Sequence, residues 1–430
     1  MWNQHQKVVK QLNSFSMPLI INQLTNNLLA LFLSRFTGHI SSNAITIVSI
    51  IDTIMFTLIG ILGSGTLSFN IYSSRVKNSN PSLFNDFFRS IIELNLFISL
   101  TFLPIILISM PFILAHWFHF NHSLTVLGLK YTYIVIFKLL FSMLIFAFSN
   151  QLKLYNKTAL ILKIGVVSAV LQLAIAYLLI FHVFKGEDKI MGIALSTTLA
   201  TGFTLLAHLF VIRKELHHLL NVKSTQKKFL FLKSLPLFIQ EIIEGSVFSL
   251  LITSFLSGFG ILIYSSYTLC RYITDLCLTP MYMYCNGLII LIGEKINHKR
   301  ELGFLPLIAG SLILIIYFSF TSLFQISSPN VFYFFTKDTS LIATAKPIFL
   351  LIIITEASRP IYEIGKYSLQ GIGFEQSVLK ISLLNTILFC LLLLILSGLS
   401  LLTFQIIIIL VAINNCVLGI YFYYLYRLAI

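Results

Sequence analysis

Long apolar runs, separated by short polar segments, recur along the whole chain. Each run has about 20 residues or more, the length that an α-helix needs to cross the hydrocarbon core of a bilayer. Two of the runs are long for a single span and indicate tilted helices or helices that extend beyond the membrane. The pattern predicts twelve membrane-spanning helices, near residues 17–37, 44–72, 91–115, 131–150, 159–183, 190–212, 235–256, 262–292, 303–327, 343–368, 375–398 and 402–426.

The longest polar stretch, 213–234, separates the first six predicted spans from the last six. The two halves are faintly similar, since SMPLIINQL opens the first and SLPLFIQEI opens the second. An even number of spans in each half predicts a parallel repeat about an axis along the membrane normal. We therefore divide the chain into an N-terminal interfacial segment (1–16), an N-lobe six-helix bundle (17–212), a basic linker (213–234) and a C-lobe six-helix bundle (235–430).

The composition is typical of an integral membrane protein. Hydrophobic residues make up 57% of the chain and charged residues 10%, and the mean hydropathy is +0.92. These values exclude a soluble domain and predict an all-α polytopic membrane protein with membrane lipids around it. The segment 1–16 has no short apolar core followed by a small-residue cleavage site, so we do not expect a signal peptide. The low Asp and Glu content, with abundant Ile, Lys, Asn and Phe, indicates a bacterial origin.

The formal charge of +14 does not indicate a nucleic-acid partner. Most Lys and Arg residues lie in short segments between apolar runs, where they set the orientation and contact anionic lipid. They concentrate on one side of the predicted membrane, to which we also assign Lys366. Because cytoplasmic loops carry this excess of positive charge, the linker 213–234 and both termini are predicted to be cytoplasmic.

Motifs of enzymes and of metal centres are missing from the sequence. It contains no P-loop, no HExxH motif and no nucleophile elbow. The five cysteines fall in apolar stretches and form no CxxC motif or Cys/His cluster. We therefore expect a protein that is not an enzyme and that has no cofactor, apart from a coupling ion, and no certain metal site.

Charged residues inside one apolar span mark the strongest candidate site. The stretch 351–373 carries Glu356, Arg359 and Glu363, which are spaced i, i+3 and i+7 on one helical face, and Pro360 should kink or break this helix. A charge at the bilayer centre costs about 2.5–3.5 kcal/mol, so such groups usually face a partner or a water-filled cavity. Two interpretations are open: a structural ion pair between Glu356 and Arg359, or a place where a substrate or coupling ion binds.

Two further pairs of charged residues fall in the seventh and eighth predicted spans. Glu241 and Glu244 are spaced i, i+3, and a carboxylate in a low-dielectric site can take up and release a proton. For each residue a position without a role in transport is also open. For Glu241 this would be a position in solvent or among the lipid headgroups. Arg271 and Asp275 are spaced i, i+4, which suits a direct ion pair. That pair is either purely structural or leaves Asp275 facing the same cavity as Glu244.

The first half contains fewer candidates. Asp52 lies in the second span without a local cation, although Lys138 of the fourth span could reach it. A cavity role and a structural role are both open for Asp52, and the isolated Lys138 indicates a paired cavity residue. Asn26 on the first helix provides an amide that either lines the cavity or hydrogen-bonds a neighbouring helix.

Several stretches resemble the multidrug and toxic compound extrusion (MATE) transporters, within the superfamily that includes polysaccharide-lipid flippases. They occur in both halves and read MPLIINQL, GHISSNAI, GSGTLSFNIYSSRVKN, MGIALSTTLATG, LPLFIQEIIEG and SLQGIGF. The resemblance implies two pseudo-symmetric six-helix bundles around a central cavity. It also implies exchange of cationic organic compounds for Na⁺ or H⁺.

The resemblance assigns roles to individual positions, with two departures. Glu244 matches a glutamate that some members carry eight residues after the proline of the seventh helix, and it is our candidate for a Na⁺ ligand. Leu33 stands where many members have an aspartate in the first helix, and Arg359 stands at an acidic position of the tenth. The resemblance therefore leaves open whether an ion is coupled at all, and it indicates an ionisable centre in the second half.

Our hypothesis is a secondary transporter that exports organic, cationic or amphipathic compounds by alternating access, coupled to H⁺ or Na⁺, as a monomer in the cell membrane. Glu244, Glu356 and Glu363 would bind protons, Na⁺ or substrate cations, while Arg359 and Arg271 would set their charge state. Two alternatives are open. One is a lipid-linked saccharide flippase, whose cavity should be basic, and the other is a non-transporting membrane component.

Overall fold

Helices account for nearly all of the computed structural model, which describes residues 2–219, 221–336 and 338–430. No strand occurs in these three ranges. Helices α1 to α10 are Trp2–Gly38, Ser42–Ser64, Leu67–Val76, Pro81–Phe112, His122–Val135, Phe137–Leu154, Thr158–Leu178, Lys189–Val211, Arg213–Leu219 and Lys227–Glu241. Helices α11 to α19 are Ser249–Ser257, Ile261–Glu294, Lys299–Leu302, Leu305–Ile326, Ser328–Phe335, Thr339–Glu356, Ser358–Gly371, Glu375–Gly398 and Phe404–Ala429.

Short stretches of other helix types extend or join these elements. A 3₁₀ turn at Gly186–Asp188 precedes α8. π-helical segments occur at Ile113–Trp117, Leu179–Val183 and Ile242–Phe248, and the last of these joins α10 to α11. The predicted all-α fold class is confirmed.

Eleven helical segments of the described chain are long and apolar enough to cross a membrane. They overlap eleven of the twelve predicted spans, and the protein is a multi-pass membrane protein. The twelfth predicted span, 17–37, lies within α1, which has 37 residues and is therefore long enough. Its polar residues Asn22, Asn26 and Asn27 lower its hydropathy below that of the other segments.

The chain divides into two compact units, one formed by residues 18–235 and the other by residues 1–17 together with 236–430. The segment 1–16, of which Met1 is not described, is continuous with the helix that contains the first predicted span. This segment packs in the C-terminal unit, where the hydroxyl of Tyr284 donates a 2.5 Å hydrogen bond to the side chain of Asn13. The predicted linker 213–234 contains α9 and the start of α10, and its Leu220 lies outside the described residues.

Helix α12 forms the centre of the C-terminal unit, where it packs against α14, α16 and α17. In its most apolar stretch 78% of the residues are buried, against 22% for α14 and for α18. The segment 339–371 consists of two helices, α16 and α17, that are joined at Ala357. Pro360 explains the break, because it has no N–H to donate to the carbonyl of Glu356, four residues earlier.

Candidate functional site

A cavity of about 280 Å³ in the C-terminal unit brings together most of the charged residues that the sequence singled out. Its walls come from both sides of the α10–α11 junction and from α12, α16, α17, α18 and α19. The polar groups that line it include Glu241, Glu244, Tyr267, Arg271, Tyr282, Glu356, Arg359, Tyr362, Glu363, Lys366, Tyr367, Ser382, Asn385, Asn414 and Asn415.

Glu244 is positioned by the π-helical segment Ile242–Phe248. π-helical turns are rare and often occur at functional sites, because the extra residue in the turn changes the direction of the side chains. The neighbouring Gly245 leaves room for a second carboxylate, since a Cβ atom there would lie 3.1 Å from Oε1 of Glu241. Both carboxylates of this span therefore reach the same cavity.

Lys366 is the centre of a first group of charges, which we call the lysine cluster: Lys366, Glu241, Glu244 and Glu363. The Lys366 ammonium donates to Oε2 of Glu244 at 2.9 Å and lies 2.7 Å from Oε2 of Glu363. It also lies 4.9 Å from the ring centre of Tyr362. The side chains of Lys366 and Glu363 are buried, so these contacts offset the cost of removing the charges from water.

Glu244 is held by three donors in addition to its place on the helix. Beside Lys366, the hydroxyl of Tyr362 donates to Oε1, and Nε2 of Gln240 donates to the same atom at 2.7 Å. Gln240 is itself fixed by Gln370, whose Nε2 donates to its Oε1 at 2.8 Å. This buried polar network fixes the orientation of the carboxylate before any ligand binds.

Glu241 leaves the lysine cluster with unbalanced charge. Within the described ranges it makes no hydrogen bond or ion pair, although it lines the cavity. The cluster thus contains three carboxylates and one ammonium, a formal excess of two negative charges when all four groups are ionised. This arrangement can accept protons or a small cation.

The second group of charges, the arginine cluster, consists of Arg271, Asp275, Glu356 and Arg359. The guanidinium of Arg359 pairs with Asp275 and lies 3.1 Å from Oε2 of Glu356. It also donates to the hydroxyl of Tyr282 at 3.2 Å. Arg271 lies 3.7 Å from Asp275, so two cations balance two carboxylates. The two predicted local pairs are thus present as contacts, and Arg359 also joins α17 to α12.

The sequence placed one residue of this site incorrectly. Glu363 lines the cavity with the other candidates, and it forms an ion pair with Lys366 that was not predicted from the sequence. Lys366 was assigned to the cytoplasmic basic residues, whereas it lies buried at the cavity. The sequence did contain one signal of this position, because Lys366 follows Glu363 at the i, i+3 spacing that suits an ion pair. Its second partner, Glu244, comes from a distant part of the chain and left no local signal.

The candidates of the first half lie in the N-terminal unit. Asp52 accepts a 3.1 Å hydrogen bond from the hydroxyl of Tyr131. Lys138, which we expected to reach Asp52, lies close enough to act on it electrostatically but forms no direct ion pair with it in the described part of the chain. Asn26 is exposed on α1, and Leu33 is partly buried there. No group of three or more His, Cys, Asp and Glu side chains in the described residues is arranged to hold a metal ion.

Comparison with known proteins identifies the type of fold. The family model described as MatE matches residues 18–178. No curated protein matches the chain. A solved structure of a mutant of the Vibrio cholerae MATE transporter VcmN is 16% identical and has a TM-score of 0.87, over 99% of this chain and 98% of that chain.

A second solved structure is that of a MOP superfamily transporter from Pyrococcus furiosus. It is 15% identical and has a TM-score of 0.84, over 98% of this chain and 96% of that chain. The resemblance to the MATE transporters is therefore confirmed, by the family model over residues 18–178 and by the fold over nearly the whole chain.

Proposed function

We propose that this chain, which has the fold of the MATE transporters, is a secondary transporter that exports organic, cationic or amphipathic compounds in exchange for H⁺ or Na⁺. The observation that carries the proposal is the unbalanced charge of the lysine cluster within membrane-spanning helices. Uncompensated charge in such a place is costly, and intramembrane ionisable groups usually mark a pathway for ions or substrates. Glu241, Glu244 and Glu363 would bind the coupling ion.

The aromatic lining supports the choice of substrate. Tyr267, Tyr282, Tyr362 and Tyr367 line the same cavity as the carboxylates. Tyrosine rings attract organic cations through their faces, and their apolar bodies suit amphipathic compounds. A small set of charged groups among such rings is the usual composition of a site for a small organic ligand.

The charge pattern argues against the flippase alternative. A cavity for an anionic lipid-phosphate should present free cations, whereas Arg271, Arg359 and Lys366 are all paired with carboxylates. The paired cations therefore favour an exporter of cationic compounds. We further propose that the protein acts as a monomer in a bacterial cell membrane with both termini in the cytoplasm, and that it has membrane lipids and a small-molecule substrate as its partners.

The experiment is transport in proteoliposomes with an imposed pH or Na⁺ gradient and a fluorescent organic cation. We expect gradient-driven movement by the wild type and none by Glu244→Gln, which keeps the shape of the side chain but removes its charge. Glu187→Gln is the matched control, because Glu187 is exposed in the 3₁₀ turn before α8. A folded, monodisperse wild type without transport contradicts the exporter, and lipid-linked sugars are then the next substrates to test.

A further inference from the structure

We propose that Lys366 is a built-in cation: its ammonium occupies the place in which the cavity would otherwise bind Na⁺, so that only protons couple to transport. The inference rests on the proposed function, because it names the coupling ion of the same site. The sequence left H⁺ and Na⁺ as alternatives and identified Glu244 as the candidate Na⁺ ligand. In the structure that carboxylate contacts an ammonium of the chain itself.

The position of the ammonium is that of a bound cation. Its nitrogen lies 2.9 Å from an oxygen of Glu244 and 2.7 Å from an oxygen of Glu363, which are direct contacts with no space for an ion between them. The rings of Tyr362 and Tyr367 lie beside it, with their centres at 4.9 and 5.4 Å. Carboxylates and aromatic faces are the groups that stabilise a cation in a partly desolvated site.

Attachment to the chain gives this cation an advantage over Na⁺. A free ion has to compete with a group that is held at a high effective concentration near the same carboxylates. Displacing the ammonium would also leave a buried Lys366, which is 8% exposed, without a counter-charge. Na⁺ binding therefore costs the loss of two ion pairs, and we expect the wild type not to bind it.

Protons do not meet this obstacle. The ammonium needs one carboxylate as a partner, whereas Glu241, Glu244 and Glu363 provide three. A proton that binds to one carboxylate converts it to the neutral acid and reduces the formal excess of negative charge from two to one. Lys366 remains charged and paired throughout, so the cluster can load and release protons without losing its internal cation.

Other titratable groups near Lys366 belong to the helices that surround it. Glu241 and Glu244 come from the end of α10 and the π-helical segment, and Arg359 of the arginine cluster lies on α17. The remaining ones are Tyr282 and Cys285 of α12 and Tyr362, Glu363 and Tyr367 of α17. The side chains with which α18 and α19 line the cavity include Ser382, Asn414 and Asn415, and these do not titrate.

The test measures Na⁺ binding by purified full-length protein, without substrate or gradient. Thermal unfolding is compared in NaCl and in choline chloride at equal ionic strength, and binding of ²²Na⁺ is measured directly. The wild type should show no Na⁺-specific effect. Lys366→Met should gain saturable ²²Na⁺ binding and a rise of a few degrees in its unfolding midpoint, because an ion that binds only the folded state stabilises it.

Two controls define the site. Lys366→Met combined with Glu244→Gln should lose the acquired Na⁺ binding, because one of the two carboxylates that held the ammonium has lost its charge. Lys380→Met should behave as the wild type, since Lys380 is an exposed lysine on α18. Saturable Na⁺ binding by the wild type overturns the inference, and this measurement needs no variant to fold. A folded Lys366→Met protein that binds no Na⁺ overturns it as well.

These outcomes are separable from the fate of the proposed function. Transport by the wild type that is driven by a Na⁺ gradient would overturn the built-in cation and leave the exporter in place. Absence of any transport would overturn the exporter, whereas the Na⁺-binding measurements would still decide whether Lys366 excludes the ion.

Discussion

At the scale of residues, the two clusters of the cavity differ in charge balance. The arginine cluster has two cations and two carboxylates, and Arg359 contacts both of its carboxylates and the hydroxyl of Tyr282. A cluster whose charges balance has no need to bind an ion, which is the behaviour of a structural group. The lysine cluster lacks this balance, so the two clusters should respond differently to substitution.

Arg359→Met should destabilise the protein. It leaves Glu356, whose side chain is 13% exposed, without its cation, whereas Asp275 is 45% exposed and can be solvated. A buried group that loses its partner in this way costs about 1–3 kcal/mol. The measurement is thermal unfolding of the purified protein in detergent. Arg35→Met, at an exposed position near the end of α1, is the control, and equal midpoints for the two variants would contradict the structural role.

At the scale of elements, α17 is held against α19 by two glycines. A Cβ atom on Gly419 would lie 2.5 Å from the carbonyl oxygen of Ile361, and one on Gly365 would collide with the carbonyl oxygen of Gly419. Both contacts are with backbone, which cannot rotate away as a side chain can. Ser358 also accepts a 3.2 Å hydrogen bond from Asn415 across the two helices. Small residues permit this close approach between membrane helices.

Gly419→Ala should therefore separate α17 from α19 and lower the unfolding midpoint. It should also impair transport, because the added methyl group would lie 2.7 Å from the backbone nitrogen of Tyr362, whose hydroxyl donates to Glu244. Gly398→Ala is the matched control, since a Cβ atom there meets nothing within 4 Å. Thermal unfolding and the proteoliposome assay measure both effects. If Gly419→Ala unfolds at the wild-type midpoint, α17 and α19 can accommodate the added methyl group and the prediction is wrong.

The elements also mark how far the sequence could predict this site. Pro360 predicted the interruption between α16 and α17, because its effect on an α-helix is local. The π-helical segment at Ile242–Phe248 was not predicted, since one extra residue in a turn leaves no trace in an apolar pattern. Glu244 could be singled out as a charge in an apolar run. Its partner Lys366 is 122 residues away, and only tertiary packing reveals it.

At the scale of the whole molecule, the apolar pattern predicted the membrane fold because each span is identified by its own length and composition. The first predicted span, in α1, is the one that the apolar pattern identifies least clearly, because its asparagines reduce its hydropathy. Charged residues within spans also stand out individually, owing to the cost of placing each in a bilayer. Which of them form a site depends on the packing of helices: Lys138 acts on Asp52 electrostatically, but the two form no ion pair in the described part of the chain.

The distribution of charge over the molecule leads to a last prediction, that ion coupling depends on the C-terminal unit. In the N-terminal unit Asp52 accepts one hydrogen bond from Tyr131, and an asparagine can accept the same bond through its amide oxygen. Asp52→Asn should therefore keep gradient-driven transport within about twofold of the wild type. Glu244→Gln should abolish it in the same proteoliposomes. If Asp52→Asn stops transport in a protein that remains folded, a second ion site lies in the N-terminal unit, and the lysine cluster is not sufficient for coupling.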